Sequence, residues 1–229
     1  MASQSKRYVA SASKVESGRK YSVEEATKLV KDVATAKFDE SVEITMQLGI
    51  DGKRSDQMVR GSVSLPKGTG KSVRIVAFAV GEMAEKAKAA GAIEAGADDL
   101  IKKISDGWTD FDVAVAHPEL MSKVGRLGRV LGPKGLMPSP KAGTVSENVV
   151  KAVTEYLGGR VEYRSDATGC VHALVGKASF APEDIAENVN AFVEHISGTR
   201  PQGVKGAFVR KIVLSTTMGP GIAVSVARS

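Results

Sequence analysis

Strand texture changes twice along this chain, and that order constrains the fold more than any other feature. From Ser41 to Ile50 the sequence alternates: Val42, Ile44, Met46, Leu48 and Ile50 take one face, and Ser41, Glu43, Thr45 and Gln47 the other. Such a strand has one solvated face, as in antiparallel sheets. Val59 to Leu65 reads as its partner. From Val73 to Val80 the residues are apolar with little alternation, the texture of a parallel strand covered on both faces. Phe111 to Ala116 is a second strand of that kind. Antiparallel texture then returns: Arg160–Arg164 and Cys170–Val175 flank Asp166-Ala167-Thr168-Gly169, a hairpin turn. Ala207–Ser215 and a short run over 222–226 follow.

Helical signals fill the gaps. Ser22 and Glu25 form a capping box ahead of the stripe Ala26, Leu29, Val30 and Val33. Segments 81–90, 98–105 and 146–157 read as helices, Pro118 stands where another can start, and Pro182 opens one that runs to Ile196. Residues 1–20 read as basic and irregular. The expected architecture is mixed α/β. A split, sandwich-like α+β domain with an antiparallel sheet (1–67 with 159–229) carries an inserted Rossmann-like α/β domain with a parallel sheet (68–158). Two Gly-rich crossings, near 66–71 and 158–160, make a hinge. At about 150 residues per domain, the 229 residues make one large domain or two small ones.

Charge points to a partner class. The chain carries 32 Lys and Arg against 26 Asp and Glu, a net +6. An excess of this sign favours a polyanion. Its placement sharpens the hint: the insert has 12 bases against 11 acids, so nearly all of the excess belongs to the split domain. After Glu194 there is no acid, while Arg200, Lys205, Arg210, Lys211 and Arg228 remain. The apolar run of 75–80 is far too short for a membrane span of about 20 residues. Residues 1–8 lack the apolar stretch of a secretory signal. A cytoplasmic chain, monomeric when free, with no membrane partner, is expected. The single cysteine excludes an internal disulfide and a Cys-based zinc site.

Catalytic motifs fail on inspection. Gly68-Thr69-Gly70-Lys71-Ser72 imitates the end of a P-loop, but Leu65 stands where the first glycine belongs and a strand, not a helix, follows. His117, His172 and His195 lie in separate segments. Cys170 shares a strand face with His172, but nothing there activates it, and a small core thiol is the simpler reading. No spacing suggests a metal site, a catalytic group or a cofactor. A small-molecule or nucleotide-binding α/β enzyme that uses the insert is the alternative function, with Gly81 after a strand as its sole support.

Two stretches stand out. The first is GRLGRVLGPKGLMPSPKAGTV, 125–145, with five glycines, three prolines and the bases Arg126, Arg129, Lys134 and Lys141. Glycine lets backbone approach a partner closely, and proline fixes the loop. The bases suit phosphate contact, and a solvated face accounts for them equally well. The second is Thr216-Thr217-Met218-Gly219-Pro220-Gly221 after a strand, where hydroxyls and amides suit ribose and phosphate. A simple Gly-Pro turn is the rival reading.

At these two stretches the chain resembles the L-one family of bacterial large-subunit ribosomal proteins. The likeness extends through KFDESVEITMQLGID (37–51), RGSVSLPKGTGK (60–71), DGWTDFD (106–112), VGKASF (175–180) and TTMGP (216–220). The resemblance implies a non-enzymatic protein whose split domain grips large-subunit rRNA to form a mobile stalk. It implies a swinging insert, a part in releasing E-site tRNA, and repression of its own operon by binding the messenger. Carried to matching positions, it implies RNA contacts at Lys37, Phe38, Ser41, Thr217, Met218 and Gly219, with Thr168 and His172 as weaker candidates. Ser41 stands where many relatives have Thr, so the hydroxyl is kept. Arg126, Arg129, Lys134 and Lys141 are candidates for a secondary RNA or tRNA contact. Phe38 beside Lys37 suits stacking on a nucleotide with an ammonium on phosphate; a core Phe at the helix–sheet joint is the rival reading.

Overall fold

A computed structural model describes residues 5–225 except 17, 53, 55 and 205. Lys205 and Arg228, counted above among the C-terminal bases, lie outside the described residues, as does Val226 at the end of the expected last strand. In chain order the elements are α1 (Lys6–Ala12), α2 (Val23–Val33), β1 (Ser41–Leu48), β2 (Arg60–Ser64), β3 (Ile75–Phe78), α3 (Glu82–Ala89), β4 (Glu94–Gly96), α4 (Asp98–Ser105) and β5 (Val113–Ala116). Then come α5 (Met121–Val124), α6 (Gly128–Leu131), α7 (Val149–Leu157), β6 (Arg160–Arg164), β7 (Cys170–Lys177), α8 (Pro182–Gly198), β8 (Val209–Thr216) and β9 (Ile222–Val224). The chain divides into two compact units, Met1–Gly70 with Val161–Ser229, and Lys71–Arg160.

The discontinuous unit is built on an antiparallel sheet of order β7-β1-β8-β9. The alternation of β1 becomes two faces. Val42, Ile44, Met46 and Leu48 are 2% exposed or less and join α2 and α8 in one core. Ala26, Val30 and Val33 come from α2, and Ile185, Val189, Phe192 and Ile196 from α8. Each of these side chains except Ala26 contributes roughly 1.5–3 kcal/mol by leaving water. The other face carries Glu43, Thr45 and Gln47, with His172 and Lys211 in register beside them. The capping box of α2 is complete: Ser22 Oγ accepts from Glu25 N, and Glu25 accepts from Ser22 N. Asn188 of α8, fully buried, accepts from Lys67 N (3.0 Å) and donates to Gly68 O and Val175 O. It ties the 65–68 turn to the core.

Three expectations need correction here. Residues 59–65 do not pair with β1; its neighbours are β7 and β8, and β2 pairs with β6. The 166–169 turn closes as expected, with Asp166 N donating to Cys170 O, but the arms of the hairpin diverge after the Ser165–Val171 bridge. β6 goes to β2 and β7 to the large sheet, because both arms carry apolar residues that the α8 core can cover. Within 1–20 a helix forms at 6–12, capped by Ser5 Oγ.

The insert has a parallel sheet, β4-β3-β5. Ile75–Phe78 is wholly buried because core clusters cover both faces, one with α4 to α6 and one with α3 and α7. A strand follows Gly70, so the P-loop imitation has no helix behind it. The helix expected over 146–157 starts later, at Val149, where Asn148 Oδ1 accepts from Lys151 N. The three-residue β4 had no sequence signal. Asp112 fastens the entry to β3 by accepting from Arg74 N and by pairing with Lys71 and Arg74. Burial pushes its carboxyl up, but these bonds outweigh that and hold it below the ordinary range.

Candidate nucleic-acid interface

Two segments meet at one end of the large sheet: 36–41, which leads into β1, and 216–219, which leaves β8. They are adjacent because Val42 pairs with Thr216 in register. Ser41 N donates to Thr217 Oγ1 at 3.0 Å, and Thr217 N donates to Ser41 O at 3.1 Å. Ser41 Oγ accepts from Lys177 Nζ at 2.8 Å. Both hydroxyls therefore also serve as joints of the frame.

At the centre sits Glu40, a carboxylate with 1% exposure. One oxygen accepts from Ala36 N at 2.9 Å, and the other from Met218 N at 3.0 Å. Burial raises its pKa, but the amide of Ala36, the Thr216 hydroxyl dipole, the amide of Met218 and the charge of Arg7 together bring it below the ordinary 4.5. Thr216 Oγ1 is buried and makes no hydrogen bond of good geometry. Asp39 adds a second clamp, accepting from Ser179 N and Oγ at 3.0 and 2.9 Å. Gly219 is required by space: a Cβ there would lie 2.3 Å from Thr216 Oγ1.

The frame leaves apolar groups in water. Phe38 is 55% exposed and Met218 48%. Phe38 is therefore not a core residue. An aromatic ring and a thioether chain held open on a rigid base suit stacking and packing on nucleotides. Lys37 is exposed beside them, and among the described residues it has no ion-pair partner.

The weaker candidates lie elsewhere. Ser41 pairs with Lys177 at one end of the β1–β7 ladder and Gln47 with Cys170 at the other, six residues or about 20 Å away. His172 is exposed on the open sheet face, with Nδ1 3.1 Å from Thr45 Oγ1. Thr168 sits in the turn beyond, its hydroxyl and amide bonded to Asp166. Those bonds, the Thr168 hydroxyl first and then the amide of Cys170, hold the Asp166 carboxyl below its usual range. Cys170 is half-buried on the open face, not in the core, because its register with Gln47 turns it outward. Arg126, Arg129, Lys134 and Lys141 are exposed on the insert, in the other unit; Lys134 bonds Thr109, and the neighbouring Lys123 pairs with Asp98.

Sequence reasoning missed Glu40, Asp39, Lys177 and Ser179. A signal for Glu40 existed. Even-numbered positions of β1 face inward, and position 40 continues that parity. An acid on the buried side demands partners.

Among the described residues no group of three or more His, Cys, Asp or Glu side chains is placed to hold a metal ion. Among the described residues no helix is long and apolar enough to cross a membrane. The sequence profile of the ribosomal protein L1p/L10e family matches residues 30–220. The chain is 52% identical over 221 residues to the large ribosomal subunit protein uL1 of Thermus thermophilus, covering 96% of each chain. It is 52% identical to the uL1 of Clavibacter michiganensis (97% of each) and 54% identical to that of Cutibacterium acnes (95% of this chain, 94% of the relative).

Proposed function

The chain belongs to the ribosomal protein L1p/L10e family, and from that premise we propose that it is a non-catalytic constituent of the large ribosomal subunit that binds large-subunit rRNA. The observation that carries the contact site is the exposed pair Phe38 and Met218, held on the Glu40 frame beside Lys37. Hydroxyls and backbone at the turn suit the shape and 2′-OH of a folded RNA. Few aromatics argue against a single-strand stacking platform, not against this mode.

The test is direct. Purified protein should prefer a folded large-subunit rRNA fragment over random RNA of equal length and should sediment with the large subunit. Lys37→Ala should lower the slope of log K against log salt by about one unit. Equal binding to random RNA would overturn the reading.

Three finer roles belong to the same proposal. The rRNA-bound protein forms the mobile stalk, with its hinge at the crossings near 66–71 and 158–160. Support for the first crossing is that Lys67 and Gly68 are bonded to Asn188, while Lys71 pairs with Asp112 in the other unit. The insert's Arg126, Arg129, Lys134 and Lys141 meet E-site tRNA. The rRNA surface also takes a similar element in the messenger of its own operon and represses it. Charge removal at the four insert bases should slow release of deacylated tRNA and leave rRNA affinity unchanged. Phe38→Ala should relieve repression of an operon reporter in step with its loss of rRNA affinity. If the two effects separate, the messenger does not use this surface.

A further inference from the structure

We propose that helix α1 is a basic arm of the same RNA interface, in which Lys6 and Arg7 take backbone phosphates beside the nucleotides that pack on Phe38 and Met218. The inference rests on the rRNA-binding reading of segments 36–41 and 216–219.

The docking of α1 carries it. Ser11 Oγ donates to Val33 O at 3.4 Å, and Lys14 Nζ donates to Asp32 O at 3.0 Å. Val15, just after the helix, packs against the main core. These bonds fix α1 to the end of α2, directly ahead of the 36–41 segment. At 100° per residue, Ser11, Tyr8 and Ala12 share the inner arc, and only Ser11 is fully buried. Lys6, Val9, Ala10 and Ser13 share the outer arc and are exposed. Arg7 flanks the inner arc on the Ser11 side, and its charge is felt at Glu40.

Exposed apolar surface points the same way. Among the described residues of this unit, the large hydrophobic side chains left in water are Val9 (51%), Phe38 and Met218. Phe38 and Met218 lie on the two segments joined by Glu40, and Val9 lies on the helix docked to the end of α2, just ahead of the first of them. The charges of α1 are not neutralised within the protein: among the described residues neither Lys6 nor Arg7 has an ion-pair partner, and Glu16 pairs with Arg19. Arg7 acts on Glu40 only through its charge and makes no ion pair with it among the described residues, so its guanidinium donors stay open to a phosphate. Cations without ion-pair partners on a helix docked just ahead of the segment that carries Lys37 fit a sugar–phosphate backbone.

The test uses the full chain and the folded rRNA fragment that it protects. Lys6→Ala with Arg7→Ala should lower the salt slope by about two units. Affinity lost between 50 and 200 mM salt should then shrink by about tenfold relative to wild type, since each phosphate contact accounts for about threefold over that range. Lys6→Arg with Arg7→Lys should keep the wild-type slope, and Lys86→Ala on the insert gives the baseline. Thermal melting should be unchanged in all of them. A wild-type slope for the double alanine variant, while Lys37→Ala lowers it, would overturn the role of α1 alone. Absence of any rRNA preference in the wild type would overturn the reading beneath it.

Discussion

Alanine in place of Glu40 is expected to loosen the discontinuous unit and to disable RNA binding together. The substitution removes the buried carboxylate that two half-buried backbone N–H groups, those of Ala36 and Met218, use as acceptor. An unmade buried hydrogen bond costs about 1–3 kcal/mol. The sum is about 2–6 kcal/mol, or roughly 4–24 °C in the unfolding midpoint at this chain length. Binding suffers because Met218 N is one of the bonds that set the 216–219 turn. Glu40→Gln keeps the shape but turns an amide donor toward an N–H, so a smaller loss is expected. The pH dependence has a definite sign. Glu40 is held below its ordinary 4.5 in the folded chain, so its stabilisation is present above that value and disappears as pH falls through the lowered one. The gap in melting temperature between wild type and Glu40→Ala should therefore close in acid. A variant that melts and binds like wild type at neutral pH would show that the carboxylate is not the frame of the site.

The second large effect is on affinity alone. Phe38→Ala and Met218→Ala should each weaken rRNA binding by about 1–3 kcal/mol, the usual worth of a stacked or packed base. Together they should cost about 2–6 kcal/mol, at least about thirtyfold in Kd. The sum need not be additive, because both side chains stand on one frame. Stability should barely move, since both groups are about half in water already. That contrast with Glu40 separates the surface from its support. A double variant with wild-type affinity and an intact fold would refute the contact.

What was legible in the sequence followed from periodicity. The alternation of 41–48 gave a strand with one wet face, and the unbroken run at 75–78 gave a strand covered twice. Ser22 and Glu25 announced a helix start through chemistry that acts within one turn. Partner choice was not legible. Nothing in Arg160–Arg164 says that it pairs with Arg60–Ser64 rather than folding back on Cys170–Lys177, because both arms satisfy the same pattern and only the shape of the α8 core decides. Helix α1 was hidden by its polar composition; it is held by bonds to Asp32 O and Val33 O, which no local signal encodes. The proposed contacts at Lys37, Phe38 and Met218 came from the family resemblance rather than from periodicity. Their support was legible only in part: strand parity puts Glu40 on the buried side, but its bond to the amide of Met218 spans 178 residues and no local signal encodes it.

The bond between Ser41 N and Thr217 Oγ1 spans 176 residues. Strand β1 is made early, yet both of its sheet neighbours lie downstream of the insert. At about 5–20 residues per second, a ribosome needs roughly ten to thirty-five seconds to travel from one half of the joint to the other. The insert has all of its strands in one continuous stretch and can close in the meantime. A nascent or truncated chain thus exposes the 36–41 segment with no 216–219 turn to complete it. On the proposed interface, competence to grip RNA arrives only near the end of synthesis, and interrupted products are expected not to compete with finished copies for the same RNA.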